Sequence, residues 1–189
     1  MRQVSPHVYI DPDGGGCTVG AIRTSVGVVL VDSPHKPTRA LRWRDEVETL
    51  GEVRYLINTE HHIDHTFGNA FLPGVVLAHQ GVREKFWEDN VLGGCPLKDP
   101  RPYVKKCDPQ GVNLAGRYQV REPEISFDGR LTLFLGDVTL DLFARPGHIA
   151  AETAVYVRED RTLFTSDNVF HDTMTWYHEA LPFEWLESL

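Results

Sequence analysis

The segment that decides the fold places several metal-ligand side chains close together: Asn58-Thr59-Glu60-His61-His62-Ile63-Asp64-His65-Thr66-Phe67-Gly68-Asn69. It directly follows the apolar run 53–57, which predicts a loop at the C-terminal end of a buried strand. In an extended loop alternate side chains point to one side, so Glu60, His62 and Asp64 converge. His65 joins them as the chain turns into a helix. Because imidazole and carboxylate bind Zn, Fe and Mn, the segment predicts a metal site rather than a polar surface turn.

Strands predominate in the pattern around this segment. Apolar and β-branched runs predict strands at 8–10, 17–22, 26–31, 53–57, 75–78, 153–157 and 162–165. Residues 131–135 and 138–143 alternate around Gly136-Asp137, which predicts a hairpin. Helices are predicted at 38–50, where Ala40, Trp43 and Val47 share a face, at 79–87, and from residue 182 onward. The pattern is typical of an α/β protein.

Residues 88–121 show no clear periodicity and contain many glycines and prolines. We interpret this stretch as an irregular insertion, because a long loop inside a domain is uncommon unless it is functional. A length of 189 residues fits one domain spanning 1–189.

Composition narrows the class of function. The formal net charge of −8 argues against a protein that binds nucleic acid through its phosphates. The sequence has no signal-peptide pattern and no apolar run near the roughly 18 residues of a membrane helix. Its three cysteines form no C-x-x-C pair and no disulfide framework. We therefore expect a cytoplasmic protein without a nucleic-acid or membrane partner; the oligomeric state stays open.

The segment 60–65 resembles the His-x-His-x-Asp-His motif of the metallo-β-lactamase superfamily. Three further stretches resemble the same family in its order along the chain. They are Val29-Leu30-Val31-Asp32-Ser33, an early strand that ends in Asp, Arg145-Pro146-Gly147-His148, a glycine–histidine loop, and Leu163-Phe164-Thr165-Ser166-Asp167, a strand with a terminal Asp. The resemblance implies an αββα sandwich of two mixed β-sheets flanked by helices, with metals at one edge.

The resemblance also implies a set of metal ligands. Glu60, His62 and His148 would bind one ion; Asp64, His65 and a terminal His would bind a second, and Asp167 would bridge the two. The implied activity is that of a Zn²⁺ hydrolase with one or two ions that acts on a small-molecule substrate. A metal-bound hydroxide would attack an ester, thioester, lactone or amide carbonyl, and Asp64 would orient this nucleophile.

The sequence departs from the family pattern at two places. Glu60 stands where the family has its first His, and a carboxylate is a harder ligand that favours Fe or Mn. Glu60 could also fail to bind metal, while the side chain of His61 is expected to point away. The family's terminal His follows a further helix and strand, whereas this sequence ends at Leu189. We expect that ligand in a continuation of the chain or from another residue, with His171 and His178 as nearby candidates.

These departures leave three functions open. The first is a metal-dependent hydrolase. The second is an iron-dependent redox enzyme on the same fold, in which Glu60 helps to bind iron. The third is a degenerate, non-catalytic metal-binding module. Fold alone does not choose among them, because one scaffold supports many reactions.

Overall fold

Two β-sheets form the centre of the structure, a computed structural model that describes residues 1–13, 16–86 and 99–189. The larger sheet contains β1 (Arg2–Gln3), β2 (Val8–Asp11), β3 (Val19–Thr24), β4 (Gly27–Val31), β5 (Val53–Asn58), β6 (Val75–His79) and β7 (Ile125–Phe127). The smaller sheet contains β8 (Arg130–Leu135), β9 (Val138–Ala144), β10 (Thr153–Val157) and β11 (Thr162–Phe164). The α-helices are α1 (Pro37–Val47), α2 (Ile63–Thr66), α3 (Gln80–Lys85), α4 (Arg101–Cys107) and α5 (Pro182–Ser188).

The larger sheet is mixed, with its strands in sequence order. Strands β1 to β4 pair antiparallel, whereas β4 to β7 pair parallel. Parallel neighbours need a crossover, and α1 provides it between β4 and β5. Val31 of β4 pairs with Ile57 of β5, so the two strands end at the same edge. Asp32 and the loop from Thr59 onward leave the sheet at this edge, which is where the metal motif lies.

Apolar side chains fill the space between the two sheets. Val29, Val31 and Ile57 of the larger sheet belong to one buried cluster with Leu140 and Val155 of the smaller sheet. Each fully buried side chain of this size contributes about 1.5–3 kcal/mol to folding. The strands of the smaller sheet pair antiparallel in the order β11-β10-β9-β8. The α/β sandwich that the sequence predicts is therefore confirmed, with a mixed larger sheet and an antiparallel smaller sheet.

Helices cover the other face of the larger sheet. Trp43 and Val47 of α1 pack with Leu30 and Leu56 of the sheet. The predicted helix 38–50 is confirmed: α1 continues as a 3₁₀ helix, Glu48–Leu50, and ends at Gly51, whose φ of 142° suits glycine. The predicted hairpin of β8 and β9 is also confirmed. No helix within the described ranges has the length and apolar character needed to cross a membrane.

Residues 99–121 correct the prediction of an irregular insertion. They contain α4 and a 3₁₀ helix, Pro109–Arg117. Pro102 and Pro109 occupy first-turn positions, where proline fits because no intrahelical N–H bond is needed. The prolines therefore mark the starts of short helices, and the rest of the predicted insertion, 88–98, lies outside the described residues. The predicted helix 79–87 is found as α3, and Trp87 is also outside the described residues.

Candidate metal centre

Three of the predicted ligands meet at the edge where β4 and β5 end. Glu60 and His62 come from the loop after β5, and His148 comes from the loop between β9 and β10. Glu60 Oε2 lies 2.5 Å from His62 Nδ1, and Glu60 Oε1 lies 4.0 Å from His148 Nε2. One ligand atom from each residue lies within 4.8 Å of the other two. The structure thus brings together the set that the sequence resemblance assigns to the first ion.

A second group contains Glu60, His65 and Asp167. His65 Nε2 lies 2.9 Å from Glu60 Oε1 and 3.4 Å from Asp167 Oδ1. The other oxygen of Asp167, Oδ2, lies 4.0 Å from His148 Nε2. Glu60 and Asp167 therefore both lie between His65 and His148. Asp167 has the position expected of a bridging ligand, and Glu60 is placed to act in the same way.

The buried atoms of these two groups fit a divalent cation. Both carboxylate oxygens of Glu60 and His65 Nε2 are buried, and their nearest polar contacts among the described residues are with other members of these two groups. Burial by itself would raise the pKa of Glu60, but the charge of His65 and hydrogen bonds from His62 and His65 outweigh it and hold that pKa well below its ordinary value. Burying charged and polar groups is costly unless they are compensated, and a bound cation could take all three of these atoms as ligands. Carboxylate and imidazole ligands suit Zn²⁺, Fe or Mn.

Asp32 orients His65. The Asp32 carboxylate accepts hydrogen bonds from the Thr59 backbone N–H (2.8 Å) and hydroxyl (2.6 Å), and from His65 Nδ1 (3.0 Å). With Nδ1 occupied in this way, His65 Nε2 faces the cluster. Burial raises the pKa of Asp32, and the charge and hydrogen bond of His65 oppose that rise. In the sequence, Asp32 was predicted only as the end of a strand, with no role at the site; the signal for that role is an acidic residue directly after a buried run.

His148 is fixed from two sides. Its backbone N–H donates to Asn168 Oδ1 (2.8 Å), and its Nδ1 donates to the backbone carbonyl of Trp176 (2.9 Å). A Cβ on Gly147 would lie 2.2 Å from Asn168 Oδ1, so this contact requires glycine. His148 Nε2 is therefore the nitrogen that faces Glu60 and Asp167.

Asp64 lies at the wall of a cavity of about 1060 Å³. Its Oδ2 is 3.9 Å from His65 Nε2, and the residue is not part of either ligand group. The structure therefore places Asp64 next to the second group, whereas the resemblance implied a direct ligand of the second ion. His62, His65, His148 and Asp167 also line this cavity, so the predicted ligands face a space that can admit a small molecule.

Glu152 is a buried carboxyl at the site that the sequence analysis missed. Its Oε1 accepts a hydrogen bond from the backbone N–H of Asp167 at 2.9 Å. Burial raises the pKa of Glu152 well above its ordinary value, and the charge of Glu60 adds to the rise. The run Ala150-Ala151-Glu152 gives no sequence signal for this role, because the contact with Asp167 depends on the tertiary fold.

The three additional histidines take different positions. His171 lines the cavity, but its side chain is 94% exposed and its nearest acidic partner is Asp172, so it is not brought into either group. His178 also lines the cavity, beside the ring of Trp176, and does not join the groups. His61 is buried and points away from Glu60 toward Glu179, as the alternation of the loop predicted. Burial and the neighbouring His62 lower the pKa of His61 to about 4.

A family model described as the metallo-beta-lactamase superfamily matches residues 12–189. Among solved structures, a metallo-beta-lactamase from Pontibacter korlensis superposes with a TM-score of 0.67 at 17% identity, covering 98% of this chain and 80% of that protein. A metallo-beta-lactamase of Bradyrhizobium japonicum, of subclass B3, gives a TM-score of 0.61 at 17% identity, covering 98% of this chain and 70% of that one.

A metallo-beta-lactamase with a HARLDQ motif from Cronobacter sakazakii gives a TM-score of 0.59 at 22% identity. That match covers 82% of this chain and 56% of the Cronobacter protein, so this chain spans just over half of its length. At these identities, the structural matches establish the fold alone.

Proposed function

The chain belongs to the metallo-beta-lactamase superfamily, and we propose that it is a metal-dependent hydrolase that cleaves a small-molecule ester, thioester, lactone or amide. One observation carries this proposal: two ligand groups share Glu60, and their other members, His62, His65, His148 and Asp167, line a cavity of about 1060 Å³. A site that only stabilised the fold would not need an open side. Catalytic metal sites keep such a side for water and substrate.

The residues of the two groups have distinct proposed roles. Glu60, His62 and His148 would hold one Zn²⁺ ion, while His65 and Asp167 would hold a second together with Glu60. When bound, the divalent ion supplies Lewis acidity, which polarises a carbonyl and lowers the pKa of water. Asp64 faces the cavity beside His65, where its carboxylate can accept a hydrogen bond from the attacking water and orient its oxygen.

The walls of the cavity favour a substrate with an apolar part. Ile10, Ile63, Phe164, Phe170 and Trp176 contribute to its lining. Burying apolar groups of a substrate against such side chains contributes about 25 cal/mol for each Å² removed from water. The acyl group of an ester, thioester, lactone or small amide can supply this apolar part.

The test is hydrolysis by the purified protein after loading with Zn²⁺, Mn²⁺ or Fe²⁺ in turn. The panel contains esters, thioesters, lactones and amides, including a β-lactam because the matched structures carry that name. We expect turnover that a chelator abolishes. Asp64→Asn should keep its metal content and lower kcat by about 100-fold or more, because a positioned proton acceptor usually contributes at least that factor to the rate. A protein that holds stoichiometric metal and hydrolyses no member of the panel would contradict the proposal.

An iron-dependent redox enzyme is a second candidate, favoured by the carboxylate of Glu60 at the position shared by both ligand groups. A carboxylate is a harder ligand than imidazole and suits iron or manganese. Protein expressed in iron-supplemented medium should then contain iron and consume dioxygen with a reductant. Iron-free protein from such a culture would exclude this candidate.

A further inference from the structure

We propose that His61, His62 and Glu179 form an accessory divalent-cation site next to the ligand groups centred on Glu60. One ligand atom from each of the three residues lies within 4.8 Å of the other two. Glu179 comes from the turn that precedes α5, far along the chain from the loop after β5 that carries His61 and His62. The three residues include only one, His62, that also belongs to a group described above.

The buried ring of His61 is the first observation that points to a ligand. His61 is 2% exposed, and neither Nδ1 nor Nε2 has a hydrogen-bond partner among the described residues. Leaving a buried polar group unsatisfied costs about 1–3 kcal/mol. Buried polar groups are generally satisfied by protein, water or an ion. An imidazole nitrogen is also the commonest protein ligand for transition metals.

The distance between His61 and Glu179 is the second observation. His61 Nε2 lies 3.7 Å from Glu179 Oε2, which is beyond the range of about 2.7–3.2 Å for a hydrogen bond. Two ligands on one tetrahedral zinc ion, each about 2.0–2.1 Å from the metal, are about 3.4 Å apart. The observed separation is therefore too long for a direct hydrogen bond and close to that of two atoms sharing a cation.

Two neighbours set the strength of this site. Lys85 Nζ lies 3.9 Å from the same Glu179 oxygen, so its ammonium competes with a cation for that carboxylate. His62 Nδ1 already lies 2.5 Å from Glu60, and a neutral imidazole has only one nitrogen with a free lone pair. Binding at the accessory site therefore competes with the central cluster for His62. Both effects make the accessory site the weaker one.

The test is a titration of metal-free protein with Zn²⁺ or Co²⁺, with binding followed by calorimetry and by the visible spectrum of Co²⁺. Glu179→Gln keeps the size of the side chain and removes the charge. We expect the weakest binding event to lose affinity by about tenfold or more, since loss of even an outer-sphere partner has that effect. His61→Gln should have the same effect, and Lys85→Met should strengthen the event because the competing ammonium is gone.

Glu184→Gln is the matched control, because it removes the same charge from an exposed position on α5. It should leave all binding events unchanged. Equal affinities in Glu179→Gln, Lys85→Met and the wild type would overturn the proposal, as would a weakest event that Glu184→Gln also removes. The titration counts metal ions and does not depend on turnover, so the proposed hydrolase activity and the accessory site can fail separately.

Discussion

The metal centre and the network around Asp141 on the smaller sheet both place carboxylates next to nitrogen groups, but the nitrogen groups are of different kinds. Arg130 and Arg158 donate hydrogen bonds to Asp141, and both are permanent cations. At the metal centre, the carboxylates of Glu60 and Asp167 face imidazoles. Arginine neutralises a buried carboxylate without a bound metal ion, whereas imidazole can give up its proton and bind a metal. The comparison separates a carboxylate cluster that the chain neutralises itself from one suited to a bound cation.

The largest expected effect is that of Glu60→Gln, which tests whether the shared carboxylate holds metal. Because Glu60 belongs to both ligand groups, its neutral isostere should weaken metal binding by about 100-fold or more, roughly 2.7 kcal/mol. Metal content after dialysis against a weak chelator measures the loss.

Glu60→His is the companion variant, since imidazole restores a metal ligand at this position. It should retain metal and shift preference from Fe or Mn toward Zn²⁺. If Glu60→Gln holds as much metal as the wild type, Glu60 is not a ligand and the comparison with Asp141 loses its basis.

The next effect is stabilisation by the metal itself. A ligand that binds only the folded state at 100 times its Kd stabilises that state by about 2.7 kcal/mol. Thermal unfolding with and without Zn²⁺ should therefore show a higher Tm for the loaded protein, and EDTA should reverse the rise. Asp141→Asn should show the same rise, whereas His148→Ala should show a smaller one, because it removes a ligand of one of the two proposed ions. An equal rise in His148→Ala would place the stabilising ion elsewhere.

Asp32→Asn probes the orientation of His65. Asp32 has a φ of 59°, a conformation that Asn tolerates well, so the backbone should not change. An amide can present its NH₂ group to His65 Nδ1, which favours the tautomer with a proton on Nε2, the nitrogen that faces the cluster. We expect metal affinity to fall by about tenfold to 100-fold. Competition with a chromophoric chelator measures it, and unchanged affinity would reduce Asp32 to a role in the fold.

The spacing of ligand-type residues was enough to predict the loop that follows β5. The alternation of Glu60, His62 and Asp64 after a buried strand indicated a metal site, and the structure places Glu60 and His62 together. Asp64 ended beside the ligand groups instead of within them, because α2 begins at Ile63 and changes the direction of the side chains that follow. Periodicity cannot locate the residue at which a loop becomes a helix to better than a few positions.

Contacts between distant segments could not be derived from periodicity. His148 and Asp167 were placed by resemblance to a family, since they lie far from residue 60 in sequence. Glu152 had no such signal, although its carboxyl supports the backbone of Asp167. The same limit applies to Glu179, which meets His61 only through the folding of the turn before α5.

The smallest effect is expected for Asp141→Asn, the other side of the comparison. Hydrogen bonds from Arg158, outweighing the opposing effect of burial, hold the pKa of Asp141 below its ordinary value of about 3.9. A depressed pKa stabilises the folded state above that pH, and the stabilisation is lost as the pH falls through the folded-state pKa. At pH 7 the variant should lose about 1–2 kcal/mol of unfolding free energy, since the arginines are about half exposed and solvent weakens the pairs.

Urea denaturation of both proteins between pH 7 and pH 2 measures this difference. The gap between wild type and Asp141→Asn should shrink on acidification, because the wild-type carboxyl becomes neutral like the amide that replaces it. Metal affinity at pH 7 should be the same in both proteins. A gap that stays constant with pH would mean that charge does not stabilise this network. A parallel loss of metal affinity would mean that the two carboxylate clusters are coupled through the packed sheets, in which case Asp141 could no longer serve as the metal-independent reference.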